Sequence, residues 1–330
     1  MSLIRSAVRL TWLLAAVLTG CAMPRGDATW SALPPMQVPA GNPMTPAKVA
    51  LGKQLFADTR LSGSGKMACQ SCHFHDLGWT DALALSRRDD GVVNSRHTPT
   101  LYNVGHQTIW YWDGRSATLE GQILAAWRGQ TGADPAKVAA ILNTVPSYRS
   151  QFQSSFGSEA SSDTIVNALA SFMRSLTSDQ APWDRYERGD KGAVSTAVVE
   201  GHALFTGKAR CHLCHAPPLY GGSTFFNIGL EHGKDKPDPG RFNVTRKEAD
   251  RGAFKTPTLR TVQRSAPYFH DGSVASLKEA VRLMASGGKL DPNKSALLQD
   301  TGLTEAEIDK LVAFLHALTS PEAWQAPTIP

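Results

Sequence analysis

The sequence predicts an all-α, loop-rich protein that consists of two similar halves in tandem. Apolar residues recur at helical spacing in several segments, no segment shows the sustained alternation of a strand, and short strings recur in the same order in both halves. The 28 glycines and 20 prolines have no repeating period and indicate long loops between the helices. With 330 residues, 42% of them hydrophobic, the chain is long enough for two domains that each have a core.

The N-terminal residues indicate export. Two arginines precede a short apolar stretch, as in secretory signal peptides, and the Leu-Thr-Gly-Cys string that ends at Cys21 resembles a bacterial lipobox. We therefore predict a signal peptide over residues 1–20, a lipidated Cys21, a periplasmic location and no membrane attachment other than this lipid anchor. The alternative is a plain signal peptide that leaves Cys21 as a free thiol. A proline-rich, extended linker is predicted over residues 21–46.

Basic residues are scattered along the chain. The formal net charge is +5, but lysine and arginine never form a run, as a nucleic-acid-binding surface would require. We therefore expect no nucleic-acid partner.

The other four cysteines lie in two Cys-x-x-Cys-His strings, which begin 142 residues apart. This pattern attaches c-type haem, because two thiols at this spacing add to the porphyrin vinyl groups and the adjacent imidazole reaches the iron. A zinc ribbon would place its two cysteine pairs close together, and a redox-active dithiol is not expected twice, each time before a histidine. The sequence thus predicts two covalently bound haems. The attachment cysteines are Cys69, Cys72, Cys211 and Cys214, and the iron ligands are His73 and His215.

The two halves repeat further strings around these motifs. A Thr-Pro-Thr-Leu string recurs at residues 98–101 and 256–259, and an Asp-Gly pair follows each of its prolines by 14 residues. We predict two cytochrome c-like haem domains, residues 47–185 and 186–320, followed by a tail over residues 321–330.

Several helices are predicted from capping residues and apolar spacing. One begins at Pro46, one near Asp163 with Met173 on its buried stripe, one near Ser276, and the last at Thr304, where a capping box starts. Met173 is expected to pack in the core rather than to bind iron.

The two halves differ at the second axial position of the iron. Met284 lies 13 residues after Asp271, whereas Ala126 occupies the equivalent place in the first half. A His/Met site suits electron transfer, and an open site admits a small molecule such as peroxide. Glu120 in the first half corresponds to Lys278 in the second, and a carboxylate beside an open haem could move a proton between the two peroxide oxygens. The alternatives are a core methionine and an ordinary surface glutamate.

Taken together, these strings resemble the bacterial di-haem cytochrome c peroxidases and the related MauG-type enzymes over about residues 45–320. The resemblance implies a peroxidatic haem in the N-terminal domain and an electron-transfer haem in the C-terminal domain. It also implies an axial methionine at Met284 and a peroxidatic glutamate at Glu120, whereas MauG itself has a tyrosine ligand. The matching strings are both haem motifs and residues 112–115, 119–120, 226–229, 252–260 and 266–272.

The chain also departs from this family. Residues 76–95 contain no histidine that could act as a displaceable ligand, so we expect the first haem to be open even when it is oxidised. His97 stands where many relatives have an asparagine that contributes to an interdomain calcium site. The backbone of Thr256 and Pro257 could still bind calcium, which is therefore a tentative expectation.

Three functions are compatible with this pattern. The first is the reduction of hydrogen peroxide with electrons from a small cytochrome c or a cupredoxin. The second is the MauG-like oxidation of Trp or Tyr side chains on a partner protein, and the third is a non-catalytic electron carrier or haem sensor. Aromatic residues near the predicted open site either conduct oxidising equivalents to the surface or simply pack. They are Tyr102, Trp110, Trp112 and Trp127.

Overall fold

The computed structural model describes residues 33–322 and 324–330. The predicted signal peptide and Cys21 lie outside the described residues. Among the helices in the described ranges, none is both long and apolar enough to cross a membrane.

The described chain is mostly helical and rich in loops, as predicted. It also contains one small antiparallel sheet of two strands, in which Phe226 lies opposite Phe254. Strands of three residues are too short to show an alternating pattern, which is why the sequence did not predict them. The helices are α1 (Pro46–Ala57), α2 (Leu119–Thr131), α3 (Pro135–Thr144), α4 (Pro146–Phe156), α5 (Ser162–Arg174), α6 (Pro182–Glu187), α7 (Thr196–Thr206), α8 (Phe242–Thr245), α9 (Leu277–Ala285) and α10 (Glu305–Ala317), and the strands are β1 (Phe225–Asn227) and β2 (Ala253–Lys255).

The predicted helix starts are confirmed by their capping interactions. The hydroxyl of Thr45 accepts a hydrogen bond from the first turn of α1. Ser276 and Glu279 form a capping box at α9, and Thr304 and Glu307 form one at α10. Each cap satisfies backbone N–H groups that have no partner within the helix and is worth about 1 kcal/mol.

Each half has its own hydrophobic core and the same helix crossing. In the first half α1 packs on α5, and in the second α7 packs on α10. Gly52 and Gly201 lie at these crossings, where a β-carbon would overlap the carbonyl oxygens of Ala168 and Lys310, respectively. Only glycine therefore allows the two helices to approach this closely. Trp183, just before the predicted boundary at 185/186, already packs in the second core.

The loops around the Asp-Gly pairs are duplicated as well. The Trp110 N–H donates to the Ser116 carbonyl (3.0 Å), and the Tyr268 N–H donates to the Val274 carbonyl (2.7 Å). Both hydrogen bonds span six residues and enclose the Asp-Gly pair of their half. The internal repeat in the sequence is thus a repeat in structure.

Hydrogen bonds of the backbone and of one indole hold the junction between the two halves. The Lys255 N–H donates to the Trp112 carbonyl (2.7 Å), and the Trp112 indole N–H donates to the His97 carbonyl (2.9 Å). The His97 N–H in turn donates to the carbonyl of His270 (2.7 Å), whose ring stacks on Phe254. These bonds fix Trp112 at the junction between the halves.

Candidate functional site

His73 has the geometry of an iron ligand. Its Nδ1–H donates to the Trp79 carbonyl (2.8 Å), because a carbonyl oxygen can only accept. Burial lowers the pKa of His73 below its ordinary value of 6.5, so the ring is neutral at pH 7. This combination fixes the tautomer and leaves the lone pair of Nε2 free for a metal.

His215 repeats this arrangement in the second half. Its Nδ1–H donates to the Tyr220 carbonyl (3.1 Å), and burial lowers the pKa of this ring too. Each half therefore presents one neutral, oriented imidazole directly after its two thiols.

The four cysteines next to these histidines are free thiols. None forms a disulfide, and all are partly buried. Burial raises the pKa of Cys69 to about 12, of Cys72 to about 11 and of Cys211 to about 12. Each half thus has two protonated thiols and one neutral imidazole within five residues, and this set fits a c-type haem.

Met284 lies on α9, near its C-terminal end. The side chains of α9 that are buried in the second core are Leu277 and Ala280, whereas Met284 is only half-buried. Within the described residues, Met284 is not among the side chains that pack against either core. Met173, by contrast, is 7% exposed and lies in the first core, as expected.

Glu120 lies in the first turn of α2 and forms an ion pair with Arg174 at the end of α5. The guanidinium donates to both carboxylate oxygens, at 2.6 Å to Oε1 and 3.0 Å to Oε2. The Asn42 amide donates a third bond to Oε1 (3.1 Å). The Arg174 side chain is 3% exposed and that of Glu120 is 21% exposed, so the pair is open to its surroundings on the Glu120 side.

These bonds determine the charge of Glu120. Burial alone would raise its pKa, but the hydrogen bonds from Arg174 and Asn42 outweigh this effect and hold the pKa below its usual 4.5. Glu120 is therefore a carboxylate at neutral pH. Of its two oxygens, Oε2 has the fewer side-chain donors and thus the greater remaining capacity to accept a proton.

The sequence did not predict Arg174 or Asn42 as parts of this site. An arginine next to the mainly apolar stripe of α5 is the signal that could have indicated a buried partner. For Asn42 no comparable signal exists in the sequence.

The residues around the expected calcium site give calcium little support. The Thr256 carbonyl accepts the Gly222 N–H (3.2 Å), and His97, which replaces the family asparagine, offers ring nitrogens where calcium prefers oxygen. The His97 Nδ1–H donates to the Leu83 carbonyl (2.8 Å). Calcium at Thr256 and Pro257 stays a prediction.

A second cluster with metal-binding side chains lies elsewhere in the described chain. Glu231, His270 and Asp271 are close enough to share an ion. However, the Lys234 ammonium bonds to Glu231 (2.7 Å) and to Asp271 (2.8 Å), so this cluster already has a cation of its own.

The four aromatic residues highlighted by the sequence have different surroundings. Trp127 is buried in the first core and donates to the Leu61 carbonyl (2.7 Å), and Trp110 packs against the same core. Trp112 lies between the halves. Tyr102 is 5% exposed, and its hydroxyl donates to the carboxylate of Glu322 (3.0 Å) in the C-terminal tail.

A duplicated fold with one oriented histidine and two thiols in each half defines a class of two-haem cytochromes. The chain belongs to the family of di-haem cytochrome c peroxidases, whose sequence profile matches residues 46–192. It is 38% identical to the cytochrome-c peroxidase IdrP1 of Denitromonas iodatirespirans, over 96% of this chain and 94% of that protein. It is 40% identical to the methylamine utilization protein MauG of Methylorubrum extorquens, over 88% of this chain and 84% of that protein.

Solved structures agree with this assignment. A MauG-like protein associated with microbial copper homeostasis superposes with a TM-score of 0.81 at 32% identity, over 87% of this chain and 93% of that one. The di-haem peroxidase BthA of Burkholderia thailandensis has the same fold, with a TM-score of 0.72 at 19% identity, over 88% of this chain and 92% of that one. The chain is thus an oxidoreductase of the cytochrome c peroxidase type, which includes MauG-like members.

Proposed function

We propose that this protein is an exported peroxidase that reduces hydrogen peroxide at an open haem held by His73. Its electrons come from a small cytochrome c or a cupredoxin and pass through a second haem held by His215 and Met284. The observation that supports this division is the asymmetry of two equivalent helices. Helix α2 presents the Glu120 carboxylate and has Ala126 where α9 has Met284.

The residues of each haem motif have distinct roles. The cysteines would hold the porphyrin covalently, and the histidines would hold the iron through Nε2, since Nδ1 is engaged by a backbone carbonyl. When bound, the haem supplies the iron centre that exchanges electrons with peroxide and with the donor. The hydrogen bond to the carbonyl holds each imidazole in one orientation.

Glu120 acts on the protons of peroxide. As a carboxylate it accepts the proton of one peroxide oxygen at Oε2 and returns it to the other oxygen, which leaves as water. Arg174 and Asn42 keep Glu120 ionised and hold the carboxylate in one position. A lysine stands at the equivalent position of the second half and cannot accept a proton while it is charged.

The MauG-like reaction is the second candidate. The lack of histidine in residues 76–95 favours it, because the segment offers no displaceable histidine ligand for the first haem in the oxidised protein. Met284 argues against it, because MauG has a tyrosine ligand instead. A carrier or sensor without turnover is disfavoured by an ionised carboxylate, Glu120, in the half that is predicted to hold the open haem.

One experiment separates these functions. The haem-loaded, fully oxidised protein is mixed with stoichiometric peroxide, with and without a reduced cytochrome c or cupredoxin. A peroxidase oxidises two equivalents of a one-electron donor per peroxide. A long-lived product of the peroxide reaction that does not oxidise these donors would support the MauG-like role. If the protein does not react with peroxide at all, a carrier or sensor is the remaining function.

Export and lipid anchoring through Cys21 belong to the same proposal. In a bacterial host that processes lipoproteins, the protein is expected in the membrane fraction of the cell envelope, and a Cys21→Ser variant is expected in the soluble periplasm or unprocessed. A membrane-bound Cys21→Ser variant would contradict the anchor.

A further inference from the structure

The C-terminal tail packs against the core of the first half. Within the tail, Glu322 accepts hydrogen bonds from the Tyr102 hydroxyl (3.0 Å) and from the Arg264 guanidinium (3.1 Å), both at Oε2. Its Oε1 accepts the Trp324 N–H (3.2 Å). The Glu322 carboxylate is therefore held in place from both halves and is 24% exposed.

Trp324 anchors this part of the tail on an aromatic cluster. Its ring meets that of Trp79 edge to face, with centroids 5.1 Å apart, and packs near Phe172 (5.9 Å). The Lys53 ammonium of α1 lies 4.5 Å from the Trp324 ring centroid. These contacts fix the tail and hence the position of Glu322.

Tyr102 belongs to the same cluster and is connected to His73 through Trp79. Its ring lies edge to face on Trp79, with centroids 6.5 Å apart. Trp79 in turn accepts the Nδ1–H of His73 through its backbone carbonyl. A single residue thus links the Tyr102 phenol to the predicted iron ligand.

The Tyr102–Glu322 pair has the chemistry of a redox-active tyrosine. A phenol gives up an electron readily only if its proton leaves at the same time, and a hydrogen-bonded carboxylate accepts that proton. Burial and the Glu322 charge raise the pKa of Tyr102, so the phenol keeps its proton until it is oxidised.

The second half has no such pair. At the position equivalent to Tyr102 it has Arg260, whose guanidinium forms a buried ion pair with Asp184 (2.9 Å). Arginine cannot be oxidised in this way, so the tyrosine is specific to the half with the open site.

We propose that Tyr102 is a redox-active tyrosine that supplies an electron to the His73 centre when peroxide has oxidised this centre and no donor is present. This inference rests on the proposed peroxide chemistry. Peroxide takes up two electrons and two protons and gives two molecules of water. Tyr102 replaces one of the electrons that the centre has lost: its O–H bond breaks, the proton moves to Glu322, and a neutral tyrosyl radical remains.

The test uses the haem-loaded, full-length protein with its tyrosines deuterated on the ring. One equivalent of hydrogen peroxide is added without a donor, and the sample is frozen for electron paramagnetic resonance. We expect a tyrosyl signal that narrows on deuteration and is lost in Tyr102→Phe. In Glu322→Gln the acceptor for the proton is gone while the size of the side chain is kept, and the signal should fall by about tenfold or more.

Tyr148 offers a matched control. It is also buried in the first half, and its hydroxyl donates to the carboxylate of Asp58 (2.6 Å), but its ring packs on Phe152 and not on Trp79. The Tyr148→Phe variant should keep the full signal. A signal that disappears in Tyr148→Phe but persists in Tyr102→Phe would overturn the assignment.

Haem absorbance in the same samples separates this inference from the proposed function. If peroxide leaves the spectrum of the natural protein unchanged, the peroxide chemistry itself is refuted. If the spectrum changes but the tyrosyl signal is absent, or is equally strong in Tyr102→Phe and Glu322→Gln, only the role of Tyr102 is refuted. The Glu322→Gln variant keeps the test decisive should Tyr102→Phe not fold.

Discussion

Glu120→Gln is the sharpest test of the proposed peroxide site. Glutamine has the same size and can still accept a hydrogen bond from Arg174, but it cannot take up a proton. Loss of a general acid–base group slows a reaction by about 10² to 10⁴, which corresponds to about 2.7 to 5.4 kcal/mol in the barrier. We expect the rate constant for the reaction with peroxide to fall by at least the lower of these factors.

The same change also affects stability, because Arg174 loses its counter-charge. Breaking a buried ion pair costs about 3 to 5 kcal/mol. Because glutamine keeps one acceptor and the Glu120 side chain is 21% exposed, we expect a loss of about 2 kcal/mol in the free energy of unfolding. Chemical denaturation of the haem-loaded protein measures this loss separately from the rate.

Stopped-flow absorbance at the haem band, with peroxide in excess, gives the rate constant. Lys278→Gln is the matched control, because Lys278 occupies the equivalent position of α9 and its ion pairs lie at the surface. This variant should react with peroxide like the natural protein. A Glu120→Gln variant that reacts within about threefold of the natural rate would refute the role of Glu120, since acid–base catalysis is worth far more.

Arg174→Met extends this test to pH. In the natural protein the pKa of Glu120 lies below 4.5, so the rate should be independent of pH above that value and fall as Glu120 is protonated at lower pH. Without Arg174, burial raises the pKa of Glu120, and only the Asn42 bond and a backbone N–H oppose it. The acid limb of the rate profile should therefore move to higher pH, and an unchanged limb would show that Arg174 does not control the ionisation of Glu120.

Three further substitutions test the other half and the scaffold. Met284→Ala should make one of the two haems high-spin and lower its reduction potential. Met173→Leu in the first core is the control and should leave the haem absorbance spectrum unchanged. An unaltered spectrum in Met284→Ala would exclude Met284 as a ligand. Gly52→Ala should cost about 3 kcal/mol or more of unfolding free energy because a β-carbon meets backbone, while Gly129→Ala, where that atom has open space, should gain about 0.5 to 1 kcal/mol. Asp184→Ala should cost about 3 to 5 kcal/mol of unfolding free energy because it leaves a buried guanidinium unpaired. Denaturant titration of the Gly52, Gly129 and Asp184 variants measures these changes.

The parts of the fold that depend on local pattern could be predicted from the sequence. Helices α1, α9 and α10 begin at residues whose side chains satisfy the first backbone N–H groups, and this signal spans only four residues. The duplication was visible because both halves keep the same strings at the same spacing. The short strands β1 and β2 were missed because three residues contain too few positions for an alternating pattern.

The partners of the candidate site could not be predicted, because they lie far away in the sequence. Arg174 is 54 residues from Glu120, and Glu322 is 220 residues from Tyr102. The residues next to Glu120 in the sequence resemble an ordinary first helical turn at the surface. They give no indication of an arginine on another helix. The sequence thus indicated the candidate reacting groups, whereas the groups that set their charge and position required the packing of α2 against α5 and of the tail against the first half.

The differences between the halves are informative because the scaffold around them is the same. Both halves have the glycine crossing, the oriented histidine and the hairpin around the Asp-Gly pair. Packing alone therefore gives no reason for one half to have a carboxylate, an alanine and a tyrosine where the other has a lysine, a methionine and an arginine. Each of these three replacements changes a proton acceptor, a potential iron ligand or an oxidisable group. All three replacements thus alter redox or proton chemistry. This supports a division of labour between two centres that share one duplicated fold.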